Sequence, residues 1–368
     1  LEQLPDLSPL QFLNSVAISA SLSNLSSIQN NRMLSSISVD SDKGLAIPDD
    51  ANWPVLQTLS LRNGNLDSLA PLAPFENLRV LRLANNKLTD VNGVGTFEDL
   101  EILDVSGNDI IDISEVSALT SLKELRISSN PVNDLSPLRQ LPLQKLSIEE
   151  IGTSDLAPLS ALTGLTRLQA GTYNFDADWS VLSNMPNLSQ LSITGVDSTD
   201  APYIAATANL LTSLNLNEVT SPDLSFLFNH YKLDSLYVYP VFNIEFYCWQ
   251  AEYLNAFYAK YVNVRGGNAA NNCDTTDDSN DYDNDGVSNV DELFNNTNPI
   301  EDDNAPSRIQ FLVDKLDVFE SDDYEENRHT LVAKRSGNTS LEATVNLSVI
   351  EGTAEYPRDF RLNNESLR

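Results

Sequence analysis

Leucine returns every 22 residues from Leu34, at Leu56, Leu78, Leu100 and Leu122, and each copy opens an LxxLxLxxN pattern or a close variant. The cleanest copies read LRVLRLANNKL from Leu78 to Leu88, LEILDVSGNDI from Leu100 to Ile110 and LKELRISSNPV from Leu122 to Val132. A strand sends alternate side chains to opposite faces, so Leu81 and Leu83, the Ile102 to Val105 stretch, and Leu125 and Ile127 are short strands with apolar residues inward and polar residues outward. One unit cannot bury its own apolar face; copies must stack into a continuous parallel sheet. Asn86, Asn108 and Asn130 then hydrogen-bond backbone at the turn after each strand. Further copies start at Leu13, Leu143, Leu165, Leu188, Leu211 and Leu233, with the asparagine replaced by residues such as Ile151, Tyr173 or Val196. About eleven units at roughly 4.8 Å per strand give a sheet about 50 Å long.

The second half of each unit carries an Asp-Leu-Ser-Pro-Leu element, at Asp6 to Leu10 and Asp134 to Leu138, with variants at Asp155 to Leu159 and Asp223 to Leu227. Proline permits only a short helical turn there. This 22-residue form resembles the bacterial internalin-type leucine-rich repeat over about two thirds of the chain. The resemblance implies an α/β solenoid over 1–245, curved, with its parallel sheet on the concave face and short turns or 3-10 helix on the convex face.

Composition adds a strong charge imbalance. The 368 residues hold 53 acidic against 22 basic side chains, a formal charge of −31. That charge disfavours nucleic acid and anionic membranes and favours cations or basic partners; a merely solvated acidic surface is the plainer alternative. No run of about 18 apolar residues or secretory leader is present. The chain opens without methionine inside a repeat and stops inside an unfinished module, so it reads as a piece of a longer protein. Cys248 and Cys273 flank the end of the array, around aromatic residues at helical spacing (Phe246, Tyr247, Trp249, Tyr253, Phe257, Tyr258 and Tyr261). We expect 246–273 to be a C-terminal cap closed by a Cys248–Cys273 disulfide, the alternative being two free thiols. Closing that loop contributes roughly 3 to 4 kcal/mol and implies an oxidising compartment.

From 274 to 305 the chain turns to aspartate. DYDNDGVSNVDE places Asp281, Asp283 and Asp285 at loop positions one, three and five, Gly286 at six, Asn289 at nine and Glu292 at twelve. That is the full calcium-loop pattern. Calcium takes six to eight oxygens, which these carboxylates, the Val287 carbonyl and a bidentate Glu292 supply, and Ca2+ is the one cofactor expected. The continuation Asn296-Thr297-Asn298-Pro299, with Asp302 and Asp303, resembles the thrombospondin type-3 repeat. Residues 306–368 alternate, with strands expected at Ile309 to Val313, His329 to Lys334 and Ala343 to Ile350. This segment resembles the first half of a Calx-beta domain, which implies a partial all-β sandwich, with Glu320 and Asp359 at positions that can face calcium.

No nucleophile sits beside a base, and neither G-x-S-x-G nor H-E-x-x-H occurs, so no enzyme is expected. His230 reads as a packing residue. The outward residues of the strands form two rows, one from Ser38 through Arg82, Asp104 and Arg126 to Tyr237, the other from Asp40 through Arg62 and Glu149 to Tyr239. Arg62, Arg82 and Arg126 with Asp104, and the pair Tyr237 and Tyr239, are the candidate ligand contacts, since arginine and tyrosine dominate interface hot spots. Pairing of the arginines with Asp104 and Glu124, and packing of the tyrosines on the cap, are the structural alternatives. The module order points to a secreted or bacterial cell-surface protein that binds a protein or glycan on a surface or matrix without entering a membrane. A structural stalk without a specific ligand is the alternative.

Overall fold

The computed structural model describes residues 4–41, 43–171, 177–228, 230, 232–240, 246–247, 250, 254, 262–264, 273–274, 281, 283–289, 291–292, 308–311 and 333–336. The chain divides into two compact units, Leu1–Phe246 with Leu254–Asn272, and Tyr247–Tyr253 with Cys273–Arg368.

The first unit holds one parallel sheet of 12 strands among the described residues. In order these are β1 (Ser15–Ser19), β2 (Ser36–Asp40), β3 (Thr58–Arg62), β4 (Val80–Arg82), β5 (Ile102–Asp104), β6 (Glu124–Arg126), β7 (Lys145–Glu149), β8 (Arg167–Gly171), β9 (Gln190–Val196), β10 (Ser213–Val219), β11 (Ser235–Pro240) and, after the short β12 (Phe246–Tyr247), β13 (Val262–Val264). From β1 to β11 each strand pairs with the next in sequence, and β11 then pairs with β13, the arrangement of a curved leucine-rich solenoid. The eleven expected strands are all present. The twelfth, β13, lacks the leucine pattern and lies 26 residues beyond its register partner, Leu236 against Val262, so the 22-residue period does not reveal it.

The inward leucines form the core. Leu59, Leu81, Leu103 and Leu125 pair rung by rung and are wholly buried. Burying each contributes about 1.5 to 3 kcal/mol, which no single repeat achieves alone. A second column lies three residues before each opening leucine: Trp53, Phe75, Phe97, Leu119, Leu162 and Met185, all buried. Trp53 stacks on Phe75 at 5.1 Å and donates its indole N–H to Ile28 O at 2.9 Å.

Outside the sheet the described residues of the first unit make 3-10 turns, including Ala70–Leu72, Ser136–Leu138 and Ala157–Ala161, each with proline in its first turn, and a five-residue helix, α1 (Ala201–Ala205). The recurring aspartate explains itself here. Asp112, Asp134 and Asp178 each accept the backbone N–H two residues on, at 2.7, 2.7 and 2.9 Å, an Asx turn that starts the 3-10 segment.

His230 occupies the position in the last regular repeat that Trp53, Phe75 and Met185 hold earlier, and it is fully buried. Its Nδ1 lies 3.3 Å from Leu227 O and its Nε2 lies 3.2 Å from Ile204 O, joining α1 to the turn Ser225–Leu227. This is the packing role expected of it. Burial lowers its pKa below the ordinary value of 6.5, which favours the neutral imidazole in the folded protein. Its contribution is therefore complete above pH 6.5 and is lost as pH falls below that value. Asp200, at the other side of α1, acts in the opposite sense. Burial, then the nearby carboxylates of Asp197 and Asp178, raise it to about 6, so its contribution is present at low pH and lost as pH rises through 6. We expect His230→Leu to remove acid sensitivity of at most about 1.4 kcal/mol per pH unit as pH falls below 6.5. Melting temperatures across that range check it; parallel profiles for the two proteins count against it.

In the second unit, β14 (Arg308–Phe311) pairs antiparallel with β15 (Ala333–Ser336), Arg308 against Ser336. These strands overlap two of the three expected after Ile309. The third expected strand, the rest of the Calx-beta-like segment with Glu320 and Asp359, Tyr173, and the 296–303 continuation lie outside the described residues. Cys248 does as well, so the disulfide does too.

Candidate functional site: the concave face and the acidic loop

The strand register sets the outward rows. Ser38, Ser60, Arg82, Asp104, Arg126, Ser147, Gln169, Ser192, Asn215 and Tyr237 are consecutive register partners across β2 to β11. Asp40 pairs with Arg62 in the same way, and Glu149, Gly171 and Thr194 follow in the second row.

Arg82 sits half-buried on this face with no ion-pair partner among the described residues. Asp104, between the two arginines, is 5% exposed and accepts the Ser106 backbone N–H at 3.2 Å, serving its own strand rather than Arg82 or Arg126. Arg126 instead pairs with Glu124, Nη2 to Oε1 at 2.6 Å, and Glu124 reaches Lys145 Nζ at 3.3 Å through its other oxygen. The two cations and the hydrogen bonds from them outweigh the effect of burial and hold the Glu124 carboxyl below its usual range. Of the two anions weighed as arginine partners, only Glu124 serves. Arg62 Nε is buried without an acceptor among the described residues. The Tyr237 and Tyr239 rings lie parallel, centroids 6.4 Å apart.

A third outward row escaped the reading of the sequence. Two residues upstream of Arg126, Ser147 and Gln169 lie Glu124, Lys145 and Arg167, themselves register partners, with Gln190 next. Arg167 Nε donates a short hydrogen bond to Gln190 Oε1. The same alternation that marks the other rows marks this one; it was overlooked because its earlier members, Ser36, Thr58, Val80 and Ile102, carry no charge. Over β2 to β11 the three rows hold five basic residues (Arg62, Arg82, Arg126, Lys145, Arg167) and four acidic ones (Asp40, Asp104, Glu124, Glu149), where the chain as a whole has 22 against 53. The concave face reverses the charge balance of the molecule. Here burial, with Glu150 adjacent, also raises the Glu149 pKa.

In the second unit the acidic loop is already wound. Asp281 accepts the backbone N–H groups of Asp285 at 3.1 Å and Gly286 at 2.8 Å, one through each oxygen, and Asp285 accepts from Val287 at 2.9 Å. Gly286 takes φ +94°, a left-handed conformation that glycine adopts without strain. Carboxylate oxygens of Asp281, Asp283 and Asp285 lie within 4.8 Å of one another. Asn289 and Glu292 are wholly buried, and Glu292 N–H donates to Ser288 O at 2.9 Å. Burial, then the charges of Asp285 and Asp281, lift Asp283 to about 6, and its Oδ2 is buried without a hydrogen-bond donor among the described residues. Converging hard oxygens, one of them lacking a donor, fit a calcium ion. Among the described residues no helix is long and apolar enough to cross a membrane.

The fold and its register define a leucine-rich repeat solenoid. Residues 76–111 and 98–140 match the family model for leucine-rich repeats in two copies. An internalin of Listeria monocytogenes is similar at 26% identity over 66% of this chain and 78% of that chain, with a TM-score of 0.52. A second internalin of that organism is 28% identical over 45% of this chain and 74% of its own, with a TM-score of 0.40. A leucine-rich repeat protein of Leptospira interrogans is 20% identical over 62% of this chain and 59% of that chain, with a TM-score of 0.51. No curated protein matches the chain.

Proposed function

We propose that this chain is the recognition part of a secreted or cell-surface protein, binding a protein or glycan partner on the concave face of its repeats. It acts as a binder and not as a catalyst. The observation that carries this reading is the reversed charge balance of that face, with Arg82 half-buried and lacking an ion-pair partner among the described residues. An arginine held in that state loses solvation without gaining an anion, and a partner's carboxylate restores the balance. The acidic loop is a calcium-stabilised connector, held by Asp281, Asp283, Asp285, the Val287 carbonyl, Asn289 and Glu292. It belongs to surroundings with roughly millimolar calcium, where extracellular modules of this kind are filled.

The test is saturable binding of the labelled protein to cell surfaces and matrix extracts, with Arg82→Glu as the comparison. Loss of a hot-spot arginine costs about 2 kcal/mol or more, so affinity falls roughly thirtyfold. Arg126→Glu is the poorer probe, because it also breaks the pair with Glu124. Unchanged binding by Arg82→Glu removes the concave face from the reading. No saturable binding in any extract favours a structural spacer.

A further inference from the structure

We propose that the concave track from β6 to β11 binds an otherwise neutral oligosaccharide that carries an isolated carboxylate. The proposal rests on the concave face being the recognition surface, and it names the ligand's chemistry. A shallow depression lies at the β6 end, lined among others by Glu124, Arg126, Lys145, Ser147, Arg167 and Gln169. Three cations surround one anion there. Glu124 sits behind them, 7% exposed, and grips Arg126 and Lys145, whose side chains keep 43% and 44% of their surface in solvent. Gln190 accepts from Arg167 Nε and so orients a guanidinium whose other N–H groups remain for a ligand. Glu124 neutralises one charge of three, and the excess calls for an anion. A carboxylate meets guanidinium groups two oxygens at a time.

Beyond the depression the track has no charge. Ser147 donates to Gln169 Oε1 at 2.8 Å, leaving the Gln169 amide N–H groups and the Ser147 oxygen for hydroxyl partners. Ser192 and Asn215 continue the row, flanked by Thr194 and Asn217, and Tyr237 with Tyr239 closes it. Five rungs separate Arg126 from Tyr237, about 24 Å at the usual strand spacing, a span suited to a chain of sugars rather than to one. No aliphatic side chain projects outward between β6 and β11. A protein partner buries an apolar or aromatic centre, and on this track only the two tyrosines at one end supply it. Pyranose rings need what is here: amides and hydroxyls for their O–H groups and aromatic faces for their C–H surfaces. The molecule's charge of −31 repels a dense polyanion, so the carboxylate is isolated within the ligand.

The experiment is calorimetry of the whole chain against four probes: a panel of oligosaccharides of about five neutral pyranoses bearing one uronate each, the same panel carboxyl-reduced, a polyuronate, and an acidic peptide. A member of the first panel binds, its reduced form binds at least tenfold more weakly, and Arg167→Gln or Tyr237→Ala lowers affinity similarly while leaving the unfolding midpoint in place. Equal binding of the reduced form overturns the carboxylate assignment. A stronger response to the acidic peptide, or silence across the panel, overturns the glycan assignment. If Arg82-dependent capture from extracts persists in that case, the recognition surface stands and only its ligand class falls; if both are absent, both fall.

Discussion

Asn108→Ala should cost the repeat array about 3 kcal/mol, more than truncation of most polar residues, because one amide ties backbone groups of two successive turns into a circuit. Its Oδ1 accepts the Leu88 N–H at 3.0 Å, and its Nδ2 donates to Leu83 O at 3.1 Å and to Val105 O at 2.8 Å. All of these groups are buried, and the side chain is 7% exposed. Alanine leaves the Leu88 N–H without a partner in an interior that excludes water, at about 1 to 3 kcal/mol, and takes one of two donors from each carbonyl, since Leu83 O keeps the Asn86 amide and Val105 O keeps the Asn130 amide. Asn108→Asp should do worse, since an ionised carboxylate keeps the Leu88 contact but faces two carbonyl oxygens with no proton to offer. Asn86 and Asn130 repeat the circuit, with Oδ1 accepting from Leu66 N and Ile110 N at 2.9 and 3.0 Å. Urea unfolding followed by far-ultraviolet dichroism gives the measurement. Because neighbouring repeats support each other, the loss should appear as a lower midpoint for the whole array rather than a separate early phase. A shift below about 0.5 kcal/mol means the ladder is incidental to stability.

That circuit was legible in the sequence because it repeats. From Leu34 to Asn130 a period of 22 sets the inward leucines and the turn asparagines Asn86, Asn108 and Asn130 at once, and the register partner Asp104 of Arg82 follows by adding 22 to its number. What does not repeat was hidden. The pairing of Arg126 with Glu124 joins residues two apart on one strand, while Lys145 approaches the same carboxylate from the next strand. Alternation says that these side chains share a face, but side-chain reach and the burial of Glu124 decide which anion each cation meets. Asp104 shows the converse: its position in the row marks it as a contact, yet its oxygen turns to the Ser106 N–H. β13 was missed for a related reason. Its residues Val262, Asn263 and Val264 carry no opening leucine, and only tertiary pairing with β11 makes them a strand. The Cys248–Cys273 pairing and the Calx-beta-like segment rest on sequence alone.

The acidic loop is the one place where the charge of the sequence itself argues for a missing partner, and it yields the other large expected effect. Three carboxylates within 4.8 Å of one another repel, and Asp283 relieves this by holding a proton up to about pH 6. Calcium, if bound, supplies the countercharge instead. Extracellular modules of this type bind with dissociation constants near 10⁻⁴ M, so about 10 mM calcium, roughly a hundred times that, stabilises the loop by about 2.7 kcal/mol. Protease cleavage near Asp281 should therefore slow by up to about a hundredfold on adding calcium and return on adding a chelator, provided cleavage proceeds through local opening. Glu292→Gln should abolish most of that protection. It keeps the size of a side chain that is wholly buried, but it removes one of the charged oxygens on which a bidentate position-twelve ligand depends. Asp291→Asn is the matched control. Asp291 is exposed, accepts from Ser288 Oγ at 2.7 Å and lies outside the ligand positions, so calcium protection should survive there. Identical cleavage of the parent protein with calcium and with chelator would refute the metal site outright. Protection lost equally in both variants would make the loop a hydrogen-bonded turn whose acidity serves solubility alone.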